Sequence, residues 1–198
     1  MDLEDRIVHQ FHSSMEVNAT TIEQNTPLIA HASELLLHCL INEGKILCCA
    51  NGPSSSLSQH FTTLLMNRFR YERPGLPAIN LNGDGSTLSA ICEDSSFVDA
   101  QAKQIHALGQ PGDILMLISA HGRSGSLIQA IQAAHDREMT VIALNGNDGG
   151  DITALLGPDE VEIRVPRDDD VLTHHAQLLV LHTLCDLLDY QLFGSDTQ

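Results

Sequence analysis

Residues 45–60, KILCCANGPSSSLSQH, decide the fold. Ile46 to Ala50 form a short unbroken apolar run, the pattern of a strand covered on both faces. Asn51-Gly52-Pro53 must turn the chain at once. Ser54, Ser55 and Ser56 then bring hydroxyls and free backbone N–H groups to the start of a helix. Such a helix start suits an anion, commonly a phosphate. The serines serve equally as plain helix caps, and the stretch alone leaves both readings open. It lacks the Gly-Lys-Ser/Thr of an ATP-type phosphate loop, so a sugar phosphate fits this neutral turn better than a nucleotide.

Outward from this stretch, strands alternate with helices. N-terminal to it, Ile7, Phe11, Met15 and Ile22 recur at roughly helical spacing over 2–24, Asp- and Glu-rich at the start as the helix dipole prefers. Thr26-Pro27 reads as the N-cap and first residue of a second helix that ends at Gly44. C-terminal to it come a helix over 56–69, a strand at 78–81, and short helices near 86–92 and 97–108. Ile114–Ser119 is the strongest buried-strand signal in the chain. A helix over 127–137, a strand at 140–144, a short helix near 151–156, a strand at 161–165 and a last helix over 169–190 complete the order. The alternation predicts a parallel five-stranded sheet between helical layers, a three-layer α/β/α sandwich plus a long N-terminal helix. No internal repeat or long linker divides the chain. It reads as one domain over 1–198, with 1–44 used in oligomer packing and 45–193 as the core.

The second turn, Ser119-Ala120-His121-Gly122-Arg123-Ser124-Gly125-Ser126, repeats the device of the first. In an open parallel sheet, ligands gather at the carboxyl ends of strands where the winding reverses. Two Ser- and Gly-rich turns facing one crevice there point to a phosphorylated ligand, although turns favour these residues in any case.

Composition narrows the function classes. A chain of 198 residues with 42% hydrophobic content suits one well-filled core. A net charge of −16 with only ten Lys and Arg argues against direct nucleic-acid binding. No apolar run approaches the roughly 18 residues of a membrane span, and the acidic start MDLEDRIVHQ does not read as a secretory signal, so a cytoplasmic location is expected. Five cysteines without paired CxxC spacing read as free thiols in a reducing compartment.

The pieces KILCCANG, SQHF followed by NRF and ERP, LPAINLN, KQIHALGQPGDILMLIS, VIALNGNDGG and LLGPDEVEIRVP together resemble the sugar isomerase (SIS) domain, a flavodoxin-like phosphosugar-binding fold. Within it the chain is similar to the phosphoheptose isomerase group over nearly its whole length. Closer still is the resemblance to the DnaA initiator-associating proteins, carried by the start of this pattern, CDLLD at 185–189 and a terminal Leu-Phe. The resemblance implies phosphosugar contacts at Asn51, Ser54, Asp94, Ser119 and Ser124. Where the isomerases have Ser-Thr-Ser-Gly-Asn-Ser, this chain has Ser119-Ala120-His121-Gly122-Arg123-Ser124, losing two hydroxyls and gaining a cation.

The isomerases carry a His and, four residues later on the same helical face, a Glu suited to removing a proton beside a carbonyl. Here His60 is followed by Leu64, which cannot accept a proton. A Gln and His eight apart on the last helix become His174 and His182. If the chain is an isomerase, His60 and His182 are the catalytic candidates. If zinc is a cofactor, His60, His174 and His182 are its candidate ligands across a subunit contact. The missing carboxylate favours a non-enzymatic homotetramer that keeps a sugar-phosphate pocket and gathers the DnaA initiator protein at the replication origin, with Leu192 and Phe193 as partner anchor. The alternative is a sedoheptulose 7-phosphate isomerase with an altered site.

Overall fold

A computed structural model describes residues 2–194. Its first element, α1 (Leu3–Ile41), is one helix of 39 residues rather than two. Asp2 caps it by accepting from the Asp5 N–H at 2.8 Å, and Glu4 and Asp5 sit in the first turn. Pro27 lies inside the helix, not at its first position, and leaves the Glu23 carbonyl without its N–H donor. The break is overridden because one buried stripe runs through it: Val17, Thr21, Asn25, Ile29, Ala32, Leu36 and Cys39. That stripe packs against the last helix and the edge strand. The first turns project beyond it, leaving Leu3, Ile7, Phe11 and Met15 exposed.

The sheet has strands β1 (Ile46–Ala50), β2 (Ala78–Asn80), β3 (Ile114–Ile118), β4 (Thr140–Gly146) and β5 (Val161–Val165), all parallel, in the order β2-β1-β3-β4-β5. The three-layer sandwich expected from the alternation is therefore present. Period-two alternation sorts side chains into two cores. Ile46, Cys48 and Ala50 face α1, α2 (Ser54–Met66) and α6 (Asp170–Phe193). Leu47 and Cys49 face α4 (Ala100–Leu108) and α5 (Gly125–Asp136). The α1 residues Ile29, Ala32, Leu36 and Cys39 belong to the first of these cores, so its second half is part of the body.

Three connections differ in detail from the sequence reading. The helix expected near 97–108 is a 3-10 turn, Phe97–Asp99, leading into α4, and that near 151–156 shrinks to a 3-10 turn at Thr153–Leu155. α3 runs over Gly85–Asp94, capped by Asp84. β5 is an edge strand, and α1 closes it. Asn25 Nδ2 donates to the Arg164 carbonyl at 2.9 Å, and the Arg164 N–H donates to Asn25 Oδ1 at 3.0 Å. One side-chain amide thus stands in for a neighbouring strand and blunts an edge that would otherwise template pairing.

The winding reverses between β1 and β3, which opens a crevice at their carboxyl ends. Cys39, Cys48, Cys49 and Cys185 are buried free thiols, while Cys92 is exposed. Burial pushes Cys48 and Cys185 up to about 12 and Cys39 up to about 11. No helix among the described residues is long and apolar enough to cross a membrane.

Candidate functional site

The two serine turns do face one crevice. A cavity of about 280 Å³ sits at the ends of β1 and β3, lined among others by Asn51, Ser54, Ser119, His121, Arg123 and Ser124. Its size suits a small phosphorylated metabolite. α2 starts two residues earlier than the sequence suggests, so Ser54 lies at the helix start. Ser119 Oγ accepts from the Gly122 N–H at 2.9 Å, which folds the second turn and leaves the hydroxyl proton for a ligand. Ser124 is the N-cap of α5 but caps nothing with its side chain, because its Oγ is held from the side. The first N–H groups of α5 therefore remain available to an anion.

The holder is Asn51. Its Nδ2 donates to Ser124 Oγ at 2.6 Å and to Ser126 Oγ at 2.8 Å, and its Oδ1 accepts from Gln101 Nε2 at 3.1 Å. Both N–H groups and one of the two Oδ1 lone pairs are used within the protein. Asn51 thus staples the two turns and also borders the cavity. Asp94 ends α3, is exposed and does not line the cavity, so the structure does not bring it to the other phosphosugar candidates within one chain.

Two histidines stand in the crevice. His174, in the first turns of α6, lies with Nε2 2.9 Å from Ser54 Oγ. Desolvation, and then the neighbouring His175 and His121, hold its imidazole below the ordinary 6.5 against the opposing pull of Asp170. It is neutral at pH 7. His121 Nε2 meets Asp170 Oδ1 at 2.9 Å. Asp170 was not singled out from sequence; its neighbour Asp169 caps α6 by accepting from the Leu172 N–H at 3.0 Å. Ser126, another partner of Asn51, lies in the second serine turn, whereas Gln101 gave no signal at all.

His60 and His182 meet on the outer face between α2 and α6, with their Nε2 atoms 2.8 Å apart. One nitrogen must carry the proton and the other the lone pair, so the couple holds a donor and an acceptor in line. Desolvation, then His60 and Arg70, push the His182 imidazole below 6.5. Phe69 packs on the other side of the His182 ring, with centroids 5.6 Å apart. Leu64 packs against the core one turn after His60 and offers no donor.

The expected zinc set does not assemble within one chain. Eight residues of α-helix put His174 roughly 12 Å along α6 from His182. Among the described residues no three His, Cys, Asp or Glu side chains stand close enough to share a metal ion. The residues of one chain do not hold zinc by themselves, the expected set spans a subunit contact, and no chemistry is derived through a metal.

The expected C-terminal anchor lies at the end of α6. Leu192 is partly buried against the main core. Phe193 is 43% exposed and borders a small pocket with Tyr71, Arg73 and Asp189. The rest of the polar tail beyond Gly194 lies outside the described residues.

Residues 10–146, more than half the chain, match the SIS domain family. A phosphoheptose isomerase of Chromohalobacter salexigens is 51% identical over 98% of this chain and 99% of its own length. Another, from Alkalilimnicola ehrlichii, is 48% identical over 98% of this chain and 99% of its own length. Among solved structures, a phosphoheptose isomerase from Francisella tularensis superposes with a TM-score of 0.92 at 41% identity, covering 96% of this chain and 99% of that one. These relatives overturn the expectation of a non-enzymatic protein that gathers DnaA. That expectation rested on Leu64, and a single aliphatic substitution does not outweigh full-length similarity to isomerases.

Proposed function

The chain belongs to the SIS domain family, in its phosphoheptose isomerase group, and from that premise we propose that it isomerises a heptose 7-phosphate of the sedoheptulose type. The observation that carries the reading is the crevice at β1 and β3, where Ser54, Ser119 and Ser124 converge with the starts of α2 and α5. Each exposed helix-end contact with a phosphate contributes about 0.3–1 kcal/mol, more when partly buried.

Isomerisation needs a group that removes the proton from C1 of the open-chain ketose and returns one to C2, while a hydroxyl proton passes from O1 to O2. The formula does not change, and no oxidant or reductant takes part. C1 and C2 stand at the far end of the sugar from the C7 phosphate, so the acid–base group belongs away from the serine turns. The His60–His182 couple meets that demand. One of its nitrogens accepts a proton while the other gives one, and the depressed His182 keeps the couple from being doubly charged at neutral pH. With Leu64 unable to accept a proton, the couple offers the proton acceptor on this face. On the outer helical face His60 is exposed and His182 half-buried, and the stripe Leu3, Ile7, Phe11 and Met15 on α1 also awaits a cover. Both features support a homotetramer in which a second copy closes the site.

The test is conversion of sedoheptulose 7-phosphate to the aldoheptose 7-phosphate by the purified chain. His60→Gln and His182→Gln should each lower turnover by about 100-fold or more while phosphosugar binding persists. Turnover in both variants equal to that of the unaltered chain refutes the assignment of the couple. No turnover by the unaltered chain refutes the isomerase reading.

A further inference from the structure

We propose that Arg123 is a ligand for the phosphate of the bound sugar, and that it leaves Asp148 to become one. The pair would then set the preference of the crevice for phosphorylated over neutral sugars. This rests on the isomerase reading of the same crevice and assigns a residue to its phosphate end.

Arg123 is the only Lys or Arg among the side chains that line the cavity. The other cationic candidates there are spent or uncharged. His121 is engaged by Asp170 at 2.9 Å, and His174 is neutral at pH 7. A chain with a net charge of −16 repels a dianion at long range. A permanent local cation offsets that repulsion where the phosphate must sit. The serine hydroxyls supply hydrogen bonds but no charge.

Arg123 Nη2 lies 2.5 Å from Asp148 Oδ2, with the two side chains 53% and 57% exposed. An exposed pair of this kind is weak, because water solvates both partners and salt screens them. A phosphate dianion offers the guanidinium more charge than a carboxylate, and a two-point contact in place of the single Nη2–Oδ2 one. Exchange of Asp148 for phosphate is therefore favourable once the phosphate is within reach.

The backbone supports such an exchange without collapse of the loops. Gly122, just before Arg123, has φ +65°, and a Cβ there would strike the carbonyl oxygen of Gly149. Gly150, just beyond Asp148, has φ +57°, and its own added Cβ would collide with the carbonyl of His121. The Ile152 N–H donates to the Gly122 carbonyl at 3.1 Å. The two loops are thus pressed together by main chain, independently of the ion pair. Asp148 also keeps a second partner, since its Oδ1 accepts from the Gly150 N–H at 3.1 Å. Releasing Arg123 leaves the acidic loop in place.

Titration calorimetry with sedoheptulose 7-phosphate, inorganic phosphate and unphosphorylated sedoheptulose tests this on the full chain. Arg123→Gln should weaken both phosphate ligands by about tenfold or more and leave the neutral sugar unaffected. Asp148→Asn keeps the acceptor for Gly150 but frees the guanidinium, so it should bind both phosphate ligands several-fold more tightly. The opposite signs are decisive. Both substitutions break the same ion pair, so a role confined to holding the loops would weaken binding in both. Weakening in both, or unchanged affinity in Arg123→Gln, overturns the proposal. If the unaltered chain binds and isomerises the sugar phosphate while Arg123 proves indifferent, only this inference falls. If the unaltered chain binds no phosphate ligand, both it and the isomerase reading fall.

Discussion

Asn51→Ala separates a staple from a ligand contact. The amide makes three hydrogen bonds: to Ser124 Oγ, to Ser126 Oγ and from Gln101 Nε2. Each contributes about 0.5–1.5 kcal/mol net, and stranding a buried partner adds about 1–3 kcal/mol. Gln101 is fully buried and its Oε1 already lacks a partner, so losing Asn51 leaves both ends of that side chain unpaired. The two serines fare better, since they still have each other at 3.3 Å. The expected destabilisation is about 2–4 kcal/mol, or a melting temperature lower by roughly 5–15 °C for a chain of this size. Calorimetric or urea unfolding reads it directly. Phosphosugar affinity should fall in parallel, because Ser124 loses its orientation. Full stability with affinity abolished would refute the reasoning, since it would make Asn51 a direct ligand contact and the hydrogen bonds incidental.

Other consequences concern stability, pH and reactivity. Arg73 is 3% exposed and holds Asp189 at 2.6 Å as well as the Leu64 and Leu65 carbonyls, so Arg73→Ala should cost about 3–5 kcal/mol in urea unfolding. His174 and His182 are both held below 6.5 in the fold, so the unfolded chain binds more protons between that value and the folded ones. Their share of stability is complete above about pH 6.5 and is lost as the pH falls through that window. Urea midpoints measured from pH 7.5 to pH 5 should therefore decline, and decline less steeply in the double variant His174→Gln, His182→Gln. A thiol reagent on the native chain should label Cys92 alone, with Cys39, Cys48, Cys49 and Cys185 reacting only on unfolding, as peptide mass mapping will show.

The strands were legible because period and composition act locally. Ile46–Ala50 and Ile114–Ile118 are apolar on both faces, which only a covered parallel sheet explains. The paired turns were legible for the same reason, since Asn51–Ser56 and Ser119–Ser126 follow those strands directly. Pro27 misled because a local breaker was outweighed by a stripe of packing that runs from Val17 to Cys39. The site was legible by residue type and not by partner. Nothing local to Asn51 says that its amide reaches Ser124 and Ser126, more than seventy positions away. Asp170 and Asp148 drew no notice in the sequence, because only the fold brings them to His121 and Arg123. Leu64 misled in the opposite sense. The missing carboxylate was visible, but the imidazole couple that offers an acceptor beside it depends on two helices meeting.

The central claim is that the crevice seats the phosphate and the His60–His182 couple moves the proton. Proton NMR of sedoheptulose 7-phosphate incubated with the chain in heavy water tests it most directly, because exchange registers even slow proton abstraction. The account predicts deuterium entering at C1 and the aldoheptose phosphate appearing, both suppressed in His60→Gln and His182→Gln. A sugar phosphate that binds yet returns with its C1 protons intact would contradict it.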